Sequence, residues 1–151
     1  MTEQLSLEDS ISALYLTFSK YSSWKSDKRS LGDVTLSDVR ALRDKRLREL
    51  EQEDFENYLL SLLNTCGEIN DYRHFLPRLI ELSTKTISEN AHQWFAGLVF
   101  SKLTLAHWRD WPTAEIVAVE QFLEAWQSYY MSTYPTDAPI DELIDAVAHT
   151  E

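Results

Sequence analysis

Residues 87–108 read ISENAHQWFAGLVFSKLTLAHW, and apolar side chains occupy nearly every direction of a helix drawn through them. Only Gln93, Gly97, Ser101 and Thr104 make a narrow polar strip. A helix apolar almost all round belongs in a protein core or a membrane. Gln93, Lys102 and His107 interrupt the least polar run, Asn90 to Trp108, and make it a poor membrane span. The stretch therefore reads as the central helix of a helical protein, about 87–108.

The neighbouring sequence supplies helices to pack around it. Downstream, Pro112 opens a helix over about 112–133, where a first-turn residue needs no N–H. Ile116, Val119, Phe122, Leu123, Trp126, Tyr129 and Tyr130 share one side of that helix. Glu120, Gln121, Glu124, Gln127 and Ser128 share the other. Pro135 ends it, and Pro139 starts a short acidic helix over about 139–149. Upstream, about 71–84 is helical, with Pro77 either kinking the helix or restarting it. A helix over about 53–65 buries Phe55, Leu59, Leu62 and Leu63 and stops at Gly67, a common helix-ending residue. A basic helix covers about 36–49, after a polar loop from Ser22 to Val34. The first helix, about 6–21, places Leu7, Ile11, Leu14 and Phe18 on one stripe, with Tyr15 and Tyr21 at its margins.

Ser6–Asp9, Thr35–Asp38 and Thr86–Glu89 each fit the pattern in which a hydroxyl and a carboxylate satisfy the open amides of a helix start. Three glycines, with no Asn-Gly or Asp-Gly pair between alternating strands, leave little material for hairpins. The expectation is an all-α single domain over 1–151, a compact array of about six to seven mostly antiparallel amphipathic helices. Helices three to six can also stack as HEAT-like hairpins.

Two stretches, DYRHFLPRLIEL at 71–82 and WRDWP at 108–112 running on to FLEAW at 122–126, resemble a bacterial family of small helical cytoplasmic proteins without known activity. The resemblance covers roughly residues 55–126, about half of the chain. It implies a bacterial origin, a helical fold and a cytoplasmic location, and it brings no catalytic residue with it. Cytoplasm is also the default from the residues themselves. The N-terminus lacks the basic and apolar regions of a signal peptide, and a lone Cys66 excludes an internal disulfide.

Charge is distributed unevenly. The formal net charge is −11, and the 42 residues beyond Arg109 hold nine carboxylates with no lysine or arginine. Such a segment repels nucleic-acid phosphates and anionic membranes and attracts basic partners. The basic run Arg40, Arg43, Lys45, Arg46 and Arg48 points all round its helix, and the acids Glu51, Glu53, Asp54 and Glu56 lie close by. It reads as a solvated, cross-linked surface rather than a nucleic-acid site.

The expected function is therefore non-enzymatic. The chain reads as an acidic helical protein that binds a basic protein partner, in the manner of immunity proteins, antitoxins and inhibitors. Trp111, Glu115, Glu120, Glu124, Asp141 and Glu142 are the expected contact residues, and no cofactor is expected. Trp108 and Trp111 flank the turn into the helix over about 112–133, where an exposed tryptophan would be a binding hot spot; the plainer reading of both is core. The alternative is a metal-binding bundle or small enzyme using Asp71, His74, Glu89 and His92. Glu89 and His92 have the helical Glu-x-x-His spacing that turns both side chains toward one metal. Against it, Glu89 is already explained by a capping box and Asp71 by a first-turn role. Cys66 and His74 are conceivable as a nucleophile pair, but a thiol at a helix C-terminus is disfavoured as thiolate and reads as structural.

Overall fold

The computed structural model describes residues 5–21, 42, 44–61, 69–88 and 93–133. Among them stand five α-helices: α1 (Leu7–Thr17), α2 (Gln52–Ser61), α3 (Ile69–Ser88), α4 (Gln93–Leu105) and α5 (Thr113–Thr133). Short 3-10 turns at Ser19–Tyr21, Leu47–Glu49 and Trp108–Asp110 join them, and no strand occurs among the described residues. The all-α expectation holds. Of the expected six to seven helices, five stand among the described residues, and the acidic helix expected at about 139–149 lies outside them.

Local chemistry explains most boundaries. Ser6 caps α1 in an extended conformation, its Oγ accepting the Asp9 N–H at 3.1 Å. Ile11, Leu14 and Phe18 then fall on one buried stripe, as their spacing requires. The basic helix expected over 36–49 does not reach its expected end. Arg46 is extended, at φ −68° and ψ 152°, and a 3-10 turn follows. Two anchors hold the next residues out of a helix. The Leu50 carbonyl accepts the Arg78 Nε–H at 2.6 Å, and the Glu51 N–H donates to Asp54 at 2.9 Å. The second bond is the carboxylate half of a capping box and starts α2.

α3 runs unbroken through Pro77. Proline inside a helix costs about 3 kcal/mol. The contiguous buried set Tyr72, Phe75, Leu76, Leu79, Ile80 and Leu82 offsets that cost by packing on both sides of it. The helix also continues past its expected end at about 84. Ser83 and Thr84 turn their hydroxyls back onto the carbonyls of Leu79 and Glu81, at 2.7 Å each. Thr86, Ile87 and Ser88 consequently form the last turn of α3, not the capped start of the next helix. α4 begins at Gln93 and ends before His107, which takes a left-handed conformation at φ 52°. Histidine is among the few residues enriched there.

The longest helix contacts are between α1 and α5 and between α3 and α4, so the first and last described helices are partners. Stacking α5 only on its sequence neighbours, as HEAT-like hairpins require, misses its pairing with α1. Phe95, Ala96, Val99, Phe100 and Leu103 bury the core face of α4. Phe100 joins it to α5, with ring centroids 5.1 Å from Trp126 and 6.2 Å from Phe122. Tyr72 joins it to α3 by donating to the Val99 carbonyl at 2.7 Å. No helix among the described residues is long and apolar enough to cross a membrane.

Candidate functional site

α5 divides its carboxylates between two faces. Ala118, Val119, Phe122, Ala125 and Trp126 are buried at helical spacing. On the opposite side Thr113, Ala114, Val117, Glu120, Glu124 and Ser128 are exposed, with Gln121 and Gln127 half-buried. Glu120 and Glu124 thus stand where the sequence places them. Arg109 reaches Glu120 at 2.9 Å while its guanidinium lies 4.1 Å over the Trp108 ring. Both partners of that pair remain partly solvated, so it is screened and weak. Val117 and Tyr129 are the large exposed apolar side chains of this helix. Tyr129 was expected on the buried stripe. Its exposure places it at the margin of that stripe, two residues beyond half-buried Gln127.

Glu115 and Trp111, both expected as contact residues, are enclosed instead. Glu115 is fully buried. Lys20 Nζ lies 2.6 Å from Oε2, the Tyr21 hydroxyl donates to the same oxygen at 2.9 Å, and Arg73 Nε is 3.4 Å from Oε1. Arg73 also donates to the Tyr21 hydroxyl at 3.2 Å and to Asn70 at 3.1 Å. Its guanidinium sits 4.6 Å from the Trp111 ring. Trp111 itself is 4% exposed, donates to the Ala106 carbonyl at 3.2 Å and meets Phe18 edge-on. Trp108 is buried too. The pattern that places Glu115 inward is present in the sequence: it precedes Ala118, Val119 and Phe122 by three, four and seven positions. What no local pattern reveals is that Lys20 and Arg73 arrive from the turn after α1 and from α3 to neutralise it.

This cluster is a cross-link. The Lys20 hydrogen bond to Glu115 raises the Lys20 pKa, and burial, then its own hydrogen bond to Glu115, raises that of the Tyr21 phenol. Both groups therefore keep their protons across the neutral range, tying the Ser19–Tyr21 turn, α3 and α5 together.

Of the alternative metal set, His74 and Asp71 are described and Glu89 and His92 lie outside the described residues. Among the described residues no group of three His, Cys, Asp or Glu side chains could hold a metal ion. His74 is half-buried, its ring against Phe75 and its Nδ1–H donating to the Tyr21 carbonyl. Asp141, Glu142 and Cys66 also lie outside the described residues.

His74 makes stability depend on pH. Burial lowers its pKa from 6.5, against smaller opposing effects of the Tyr21 carbonyl and Asp71. Between the lowered value and about 6.5 the unfolded chain binds a proton that the folded chain does not, so acid favours unfolding there. Stability should fall as pH drops through that window and level off below it. Urea midpoints at about pH 7, 6 and 5 should lose this component in His74→Gln, which retains a donor for the carbonyl. An unchanged slope in the variant would assign the dependence to other groups.

No family model, curated protein or solved structure matches the chain.

Proposed function

We propose that the protein is a helical interaction protein that docks a basic protein partner on the outward face of α5. The supporting observation is the separation of charge. No lysine or arginine follows Arg109, and the mid-helix carboxylates Glu120 and Glu124 are exposed on the side of α5 that the fold does not bury. Val117 adds exposed apolar surface beside Glu120, the composition of an interface rather than of a purely solvating face. Glu115 and Trp111 support this face from behind without touching a partner. Asp141 and Glu142 would extend the negative field, as the run of nine carboxylates requires.

The test uses the double variant Glu120→Lys/Glu124→Lys as bait beside the wild type, at about 50 mM salt, where charge attraction is least screened. Folding should be nearly unaffected: exposed substitutions and a lost surface ion pair together change stability by about 1 kcal/mol or less. Partners retained by the wild type should be basic and should be lost by the variant. Equal retention of the same basic proteins by both baits would remove this face from the interaction.

A further inference from the structure

A groove of about 710 Å³ opens between α1, the Leu47–Glu49 turn and the proline turn of α3. Its size falls within the range of small-molecule sites. Leu16, Leu47 and Pro77 give it an apolar wall, and Leu16 is 78% exposed, the most exposed of the described large hydrophobic residues. Arg46 and Arg48 line the same groove. Arg48 lies 3.7 Å over the Tyr15 ring, a contact that holds the guanidinium beside the groove. Arg46 occupies the extended position before the 3-10 turn and makes no capping hydrogen bond.

The charge environment of these two arginines sets them apart from most described cations. Lys20, Lys45, Arg73, Arg78 and Arg109 each pair with a carboxylate. Arg46 and Arg48 have no carboxylate partner among the described residues, although the chain holds 25 acids against 14 lysines and arginines. Two unpaired guanidiniums beside an exposed leucine form a cationic head site joined to an apolar wall. Glu49 on the same groove reduces the local charge to a single net positive unit, which matches a monoanion better than a phosphate dianion.

We propose that this groove binds a small amphipathic carboxylic acid, its carboxylate on Arg46 and Arg48 and its apolar body along Leu16, Leu47 and Pro77. This site is independent of the acidic face of α5 and is lined by two arginines against one carboxylate, Glu49. Arginine forks suit a carboxylate because two N–H groups meet its two oxygens in one plane. The apolar wall supplies the remainder of the affinity, as in most ligand sites.

Two acids, 4-phenylbutyrate and octanoate, test the proposal by calorimetry and by amide chemical shifts, with 4-phenylbutan-1-ol and inorganic phosphate as comparators. At least one acid should bind at one site and shift the amides of Leu16, Leu47 and Arg48. The alcohol should bind about tenfold more weakly, the usual worth of a charge-assisted hydrogen bond. Phosphate should not compete. Arg46→Gln/Arg48→Gln should weaken the acid by about tenfold or more and leave the alcohol unchanged, while Leu16→Asp should weaken both. Arg46→Gln alone, which touches no ring, should give an intermediate loss with an unchanged far-ultraviolet spectrum. Failure of both acids to shift these amides would overturn the proposal. So would an alcohol that binds as tightly as its acid, a double variant with wild-type affinity, or displacement of the acid by phosphate.

Discussion

Replacing Glu115 with alanine should lower the stability of the fold by about 3–5 kcal/mol, the range for breaking a buried ion pair from one side. The carboxylate is enclosed by Lys20, Tyr21 and Arg73, and the consequences for the three differ. Lys20 is half exposed and returns to water at little cost. Arg73 does not, because its guanidinium is held between the Trp111 and Tyr21 rings with only 16% of the side chain exposed. It would be left as a cation without its counter-ion. Tyr21 would lose the acceptor of its hydroxyl. Glu115→Gln, which keeps the volume and an acceptor for Tyr21 but not the charge, should cost less than alanine. Urea denaturation measures both. A loss under about 1 kcal/mol for alanine would mean that water already reaches the cluster.

Phe100→Ala should cost about 3–5 kcal/mol, since a large aromatic removed from a packed interior leaves a cavity as well as lost transfer energy. Phe100 is 1% exposed and is stacked with Phe122 and Trp126, 7° and 25° from parallel. It therefore joins α4 to α5 at the point where the two main helix pairs meet. Denaturant midpoints should fall with little change of slope, and the near-ultraviolet signal of Trp126 should weaken as its neighbour is lost. A loss below about 1 kcal/mol would place Phe100 outside the core.

Much of the architecture can be read from apolar spacing and helix punctuation. The α1 stripe and its Ser6 cap, the start of α5 after Pro112 and the burial of α4 all follow from residues within one or two turns of one another. Reading fails where distant contacts decide. Pro77 has the chemistry of a helix breaker, and only the packing of Phe75, Leu76, Leu79 and Ile80 on other helices explains why α3 passes through it. The Thr86–Glu89 motif fits a helix start, but Thr86 to Ser88 instead complete the last turn of α3.

The same division applies to function. Glu120 and Glu124 are exposed because their side of α5 faces away from the buried stripe of Ala118, Val119, Phe122 and Trp126. Glu115, five residues before Glu120, falls on the buried side, and cations brought from elsewhere make its burial tolerable. Arg46 and Arg48 read as part of a basic helix with charges on all sides. Ending that helix early turns both into one groove, a consequence of the Leu50 and Glu51 backbone anchors rather than of the arginines themselves.

Association kinetics test the docking face of α5 most directly, using the basic partner retained by the wild-type protein and stopped-flow mixing at about 50 and 500 mM salt, where the screening length differs several-fold. If Glu120 and Glu124 steer that partner, Glu120→Lys/Glu124→Lys should slow association about tenfold or more at low salt, and the two proteins should converge at high salt. Association rates that are equal at both salt concentrations would contradict the proposed interface and leave the carboxylates of α5 as a solvating surface.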